Sequence, residues 1–205
     1  MDWQIIDSGN HTGRENMDID QKLFLDFSDK SQQKIFRIYG WSKPCISIGF
    51  FQDTNKITDR EGWDVIKRPT GGGICYHTTD EISYSVVAAK NDPQVGGILM
   101  ESYFKISKII LGALHKLNIN AQIGYKSETL NTKFETNSKL KTQNSKLCFD
   151  QTREYEITLN GKKIVGSAQR MGRIGFLQQG TIMTSLTGLN KNLIIKSILN
   201  EISPA

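Results

Sequence analysis

Cysteine is scarce: Cys45, Cys75 and Cys148 are the only three, widely spaced and odd in number. That pattern excludes a disulfide framework, offers no CxxC pair for a metal, and suits a reducing compartment. Long apolar runs are also missing, none approaching about 18 residues, so no membrane-spanning helix and no membrane partner are expected. The opening stretch MDWQIIDSGN lacks the basic segment followed by an apolar one that marks a secretory leader. A soluble cytoplasmic protein is the expectation. No charge of one sign dominates either, since 26 basic against 21 acidic residues leave +5, too mild an excess for a chain built to bind nucleic acid. Internal repeats are absent. A chain of 205 residues suits a single domain over 1–205 with a substantial core, and a monomer is the default.

The excess charge is concentrated. Residues 126–147 hold five lysines and two glutamates among Ser, Thr, Asn and Gln, with too few apolar side chains to pack. A mobile loop is expected there; insertions of that length often serve as lids or binding loops, although a solvated excursion without a role fits equally. Phe134 is its only aromatic, which makes it a poor stacking surface for nucleic acid. Its lysines would instead steer an acidic carrier protein.

The densest chemistry lies in KRPTGGGICYHTTDEISYS, residues 67–85. Gly71, Gly72 and Gly73 permit positive φ and close approach of a ligand to the main chain, and their N–H groups can converge on an oxyanion or anion. Lys67 and Arg68 precede the glycines and His77 follows them. A charge, a donor loop and a titratable ring are thus expected within one strand-turn-strand unit. A plain hairpin turn would account for the glycines as well.

Along the chain, residues 3–6 read as a strand, and 16–27 as a helix with Leu23, Phe24 and Phe27 on one face behind a polar first turn containing Glu15, Asp18 and Asp20. Alternating β-branched and aromatic residues at 34–40 and 45–51 predict adjacent strands. Residues 53–62 read as helical or irregular, and 64–68, 73–77 and 82–87 as strands. Leu99, Tyr103, Ile106, Ile110, Leu114 and Leu117 recur at helical spacing and predict a long helix, with His115 off its apolar stripe. Cys45 and Cys75 fall inside strands, where a free thiol behaves as a small buried hydrophobe.

Near the end of the chain, Asn160-Gly161 between two alternating runs predicts a two-residue type I′ hairpin. It would set Leu159 opposite Lys162, Thr158 opposite Lys163 and Ile157 opposite Ile164, with Lys163 sharing a face with Glu156 and Val165. Gly166-Ser167-Ala168 would give a small-residue floor beside the lysine. In the strand 176–183, Gly180 marks a bulge or the close approach of a ligand. Residues 193–202 form a last short amphipathic helix.

These motifs carry a family resemblance over nearly the whole chain. RPTGGGICYH resembles the Arg-x-Ser/Thr-Gly-Gly-x loop and following His of the biotin/lipoate protein ligase and lipoyl/octanoyl transferase superfamily. GKKIVGSAQ resembles its Lys-Ile-x-Gly-Ser-Ala signature, and LQQGTI its Leu-Gln-His-Gly-Ser-Ile strand, with Gln179 in place of the His. ENMDIDQ, RIYGW and ISIGFFQD fall in the same order as in the family. The resemblance implies an α+β fold of mixed β-sheets flanked by helices, a ligase-like (class II synthetase-like) catalytic domain. It also implies substrate-binding positions at Arg68, Thr70, Gly71, Gly72, Gly73, His77, Gly166, Ser167, Ala168 and Gly180.

Within that superfamily the chain looks most like the cysteine-dependent octanoyltransferases. Cys148-Phe149-Asp150 stands where their nucleophile stands, 15 residues before Lys163. The resemblance implies Cys148 and Lys163 as catalytic residues, a lysine ammonium favouring the thiolate. Octanoyl-acyl carrier protein would be the donor, and a lipoyl domain or glycine-cleavage H protein the acceptor, with no cofactor and no metal required. Three alternatives stay open. An ATP-dependent lipoate or octanoate ligase would need Mg²⁺ and leave Cys148 incidental; a lipoyl amidotransferase would use the same cysteine; an inactive paralogue would only bind a carrier. The chain ends earlier than ligases bearing a C-terminal accessory domain, which makes such a ligase the less expected of these.

Overall fold

A computed structural model describes residues 2–28, 33–53, 62–124 and 155–203. Among the described residues, ten strands form two sheets, accompanied by three α-helices. The larger sheet has seven strands in the order β1 (Trp3–His11), β2 (Lys34–Trp41), β6 (Ile82–Ala89), β10 (Gly175–Ile182), β9 (Lys162–Met171), β8 (Ile157–Leu159), β7 (Gln122–Ile123). Only the β1/β2 pair in it is parallel. The smaller sheet is β4 (Asp64–Lys67), β3 (Cys45–Ile48), β5 (Cys75–His77), with β3 parallel to β4 and antiparallel to β5. This is the expected α+β arrangement of mixed sheets flanked by helices.

The central strands β6 and β10 are buried along their whole length, because both faces of the large sheet are covered. On one face, alternate residues Tyr84, Val86, Phe176 and Ile182 join Ile106, Ile110 and Leu114 of α2 (Leu99–Lys116) and Ile194, Ile198 and Ile202 of α3 (Lys191–Ile202) in the main core. The α2 stripe is the one its periodicity predicts. On the other face lie α1 (Gly13–Asp26) and the small sheet, with Met17, Tyr39, Trp41 and Cys45 packed together. That second interface positions the candidate site.

Helix α1 begins earlier than expected, capped by Thr12, whose side chain accepts from the Glu15 N–H while Glu15 Oε2 accepts from the Thr12 N–H at 2.9 Å. This reciprocal capping draws the Glu15 carboxyl below its ordinary range, chiefly through the Thr12 backbone bond. Asp20 therefore lies outside the first turn. Fully buried, it accepts from Arg37 Nη1 at 2.7 Å, Ser85 Oγ at 2.6 Å and Tyr39 OH at 3.1 Å. Burial and the neighbouring Asp20 charge hold the Tyr39 phenol well above its usual range.

Residues 34–41 and 45–48 are not neighbours in one sheet. β2 pairs with β1 and β6, whereas the chain turns after Trp41 and starts the small sheet with β3. Cys45 is completely buried on β3, and desolvation raises its thiol to about 12, so it packs as the expected small hydrophobe. His115 sits on the outer side of α2, its Nε2 2.8 Å from the Ala121 carbonyl. The expectations for residues 126–147 and for most of 53–62 lie outside the described residues.

Candidate active site

The glycine stretch does not close a hairpin. β4 enters it and β5 leaves it, but β3 lies between those two strands, so the loop crosses the end of β3. Arg68 N–H bonds the Ile48 carbonyl at 3.0 Å and Phe50 N–H bonds the Thr70 carbonyl at 2.9 Å. The Arg68 side chain, nearly buried, then fastens the loop from inside. Its Nη2 donates to the Gly71 and Gly73 carbonyls at 2.7 and 2.6 Å, Nε to Gly71 at 3.1 Å, and Nη1 to the Ser47 carbonyl at 3.0 Å. Gly72 takes φ +94, which a residue with a Cβ adopts only with strain. Anchoring the Gly71 carbonyl turns the Gly72 N–H the other way, because the two point in opposite directions across a planar peptide.

His77 ends β5 opposite Cys45. Its Nδ1 lies 2.5 Å from Glu81 Oε1 and its Nε2 2.7 Å from Ser47 Oγ, while its ring stacks on Trp41 at 4.0 Å between centroids. A carboxylate only accepts, so Nδ1 donates to Glu81. Ser47 Oγ in turn accepts from Arg68 Nη1 at 3.1 Å. Glu81, His77, Ser47, Arg68 and the glycine loop thus form one continuous chain of hydrogen bonds.

A cavity, open to solvent, lies between this cluster and the large sheet. Arg68, His77, Gly166, Ser167, Ala168 and Gly180, all expected from the sequence, line it. Thr70 reaches it indirectly, donating to Gln179 Oε1 at 2.7 Å. A Cβ built on Gly72 would stand 3.6 Å from Ala168 Cβ, so the loop faces the small-residue floor. The structure adds Met17, Tyr39, Trp41, Ser47, Cys75, Gln179 and Thr181 to the lining. Cys75 Sγ lies 3.9 Å from His77 Nδ1.

Gly180 sits in an unbroken ladder, opposite Ser167 on one side and Tyr84 on the other. There is no bulge. The group that requires a glycine is the Tyr84 ring, whose atoms would lie 2.3 to 2.6 Å from an added Cβ. Tyr84 OH is 2.8 Å from Ser167 Oγ, so the glycine lets a buried phenol brace the floor. Gln179, where the family motif has a histidine, donates to Asp20 Oδ2 at 2.7 Å. Thr70, Gln179, Asp20 and Arg37 therefore tie the glycine loop to α1 and β2.

The hairpin at Asn160-Gly161 forms with φ of 50° and 75°, both positive as a type I′ turn demands. Leu159 faces Lys162 and Thr158 faces Lys163 as expected, but a register shift then sets Ile157 opposite Val165 rather than Ile164. The bulge leaves Ile164 and Val165 both in the main core. Lys163 is buried, not exposed to solvent, and its Nζ lies 2.6 Å from Glu156 Oε1, with side chains 2% and 3% exposed. It stands outside the cavity lining, three residues before Gly166. Past Val165, β8 has ended, and among the described residues the outer edge of β9 has no strand partner. Cys148 lies outside the described residues.

The family described as the lipoyl protein ligase A/B catalytic domain matches residues 12–201. The chain belongs to that family. It is 34% identical over 189 residues to the octanoyltransferase LipM of Kyrpidia tusciae, covering 90% of this chain and 66% of that protein. LipM of Bacillus subtilis is 33% identical over the same shares. The chain thus spans just under two thirds of the length of these relatives. Among solved structures, the bipartite lipoate protein ligase of Thermoplasma acidophilum superposes with a TM-score of 0.74 at 16% identity, covering 98% of this chain and 82% of that one. The fold is that of the lipoate protein ligases.

The glycine loop and small-residue floor were legible because glycines and a Gly-Ser-Ala run mark themselves. Trp41 and Ser47 fall inside RIYGW and ISIGFFQD, which carry the resemblance without marking a role for either side chain; for Glu81 the signal is its position four residues after His77.

Proposed function

We propose that this chain, as one catalytic domain, transfers an octanoyl group from octanoyl-acyl carrier protein through a thioester on Cys148 to the lysine of a lipoyl domain or glycine-cleavage H protein, without ATP. The observation that carries this reading is the coincidence of Cys148, 15 residues before Lys163, with 33–34% identity to proteins named octanoyltransferase.

In the first half-reaction the Cys148 thiolate attacks the donor thioester carbonyl, and collapse of the tetrahedral intermediate expels the carrier thiol. In the second, the acceptor amine attacks the Cys148 thioester, an amide forms, and the Cys148 thiolate leaves. Lys163 serves as the ammonium that favours the thiolate and moves protons to the leaving thiol and from the amine. Glu156 supports that role, because burial penalises an isolated ammonium and a carboxylate in contact offsets the penalty. The acyl chain occupies the cavity, against Trp41, Met17 and the Gly166–Ala168 floor. N–H groups of the glycine loop or at Gly166 face the developing oxyanion, and Arg68 and His77, with Thr70 through Gln179, hold that wall in place.

The test is a transfer assay with octanoyl-carrier protein and an isolated lipoyl domain. Cys148→Ala is expected to lose more than about a thousandfold of the wild-type rate, the usual scale for removing a nucleophile. Transfer at the normal rate by that variant, or transfer that needs ATP and free octanoate, would replace this reading with the ligase one.

A further inference from the structure

Beside the glycine loop the protein exposes an aromatic pair that contributes little to its own fold. Phe51 is 91% exposed and Phe50 42%, with their rings edge to face at 5.2 Å. The backbone beneath them is fixed, because Phe50 N–H is bonded to the Thr70 carbonyl of the loop. Two cations flank the pair. The Arg170 guanidinium lies 5.0 Å from the Phe50 centroid and 5.6 Å from that of Phe24, and Lys67 Nζ lies 5.6 Å from Phe50.

This patch is continuous with the cavity. Arg170 follows Gly166 and Ala168 at alternate positions of β9, and alternate residues of a strand share a face. Its Nη1 also bonds the Pro69 carbonyl at 3.4 Å. A wall of the pocket therefore runs out, through Arg170, onto Phe50 and Phe51. Fixed aromatics beside arginine are the composition of interface centres rather than of ordinary surface.

We propose that Phe50, Phe51, Lys67 and Arg170 form the docking surface for the acceptor domain, through carboxylates and an apolar side chain flanking that domain's target lysine. The proposal rests on the transferase reading above. Reach selects the acceptor over the donor. A lysine amine extends only the length of its four-carbon stem, so the domain bearing it must seat on the rim itself, whereas a carrier delivers its acyl group on a long arm from farther away. The cations select an acidic partner and raise its rate of encounter.

The experiment measures binding of an isolated lipoyl domain, and separately of acyl carrier protein, to the full chain without any acyl donor, alongside acylation of the enzyme by a small octanoyl thioester. Phe51→Ser and Lys67→Glu should each weaken binding about tenfold, as loss of an interface anchor does, and added salt should weaken the wild-type complex but the Lys67→Glu complex less. Acylation by the small thioester should be unchanged in both variants. Unaltered lipoyl-domain affinity would overturn the docking surface, as would a loss confined to the acyl carrier protein. If wild-type protein fails to take the acyl group from the thioester while the binding results come out as expected, the transferase reading falls and the docking surface stands.

Discussion

Glu156 and Lys163 place opposite charges 2.6 Å apart in a buried setting at the base of the signature hairpin. A pair of this kind stabilises little in net terms, yet removing one partner leaves the other charged and desolvated. Glu156→Ala should therefore cost about 3 kcal/mol in denaturant unfolding, and the double variant with Lys163→Met should recover much of that loss. Equal destabilisation by the single and double variants would show that the two side chains are not energetically coupled. Alternation placed Glu156 and Lys163 on one face from the sequence alone. Their burial was not legible, because a lysine in an alternating strand faces solvent unless a tertiary layer covers it. Asp20 taught the same lesson: it resembled a helix-start acid, and only the approach of Arg37 from β2 makes it a buried ion-pair partner.

At the scale of elements, β10 and β9 show what a single glycine does. The ladder runs unbroken through Gly180, without the expected bulge; Gly180 lines the cavity, and its missing Cβ leaves room for Tyr84, whose hydroxyl meets Ser167. Desolvation holds the Tyr84 phenol above its usual range, so it remains a neutral brace for the floor. Gly180→Ala should force ring and strand apart and cost about 1 to 3 kcal/mol. Combined with Tyr84→Ala the penalty should shrink, and thermal unfolding of the three variants checks this. If Gly180→Ala unfolds like wild type, the ring is not the constraint. The long helix, the type I′ turn and the central strands were readable from period and turn chemistry. The assignment of β3 to a second sheet was not, since pairing partners are chosen by tertiary packing, and neither was the bulge at Ile164, which has no local composition of its own.

At the scale of the molecule, two sheets and α1 enclose a cavity whose walls come from β2, β3, β5, β9 and β10, with Arg68 from the start of the glycine loop. Motifs distant in sequence meet there: Arg68 and His77 from the first, Gly166–Ala168 from the second, Gly180 from the third. The family fold thus accounts for their order along the chain, and the network from Thr70 through Gln179 to Asp20 and Arg37 ties the glycine loop to α1 and β2. Among the described residues no helix is long and apolar enough to cross a membrane. The central claim is that an acyl group passes through a cysteine. Intact mass of the whole chain after mixing with octanoyl-acyl carrier protein tests it most directly, with and without ATP, beside the Cys148→Ala protein. The account predicts a mass gain of one octanoyl group without ATP, lost on hydroxylamine treatment and absent in the variant; a wild-type protein that never gains mass, with product forming only when ATP and free octanoate are supplied, would contradict it.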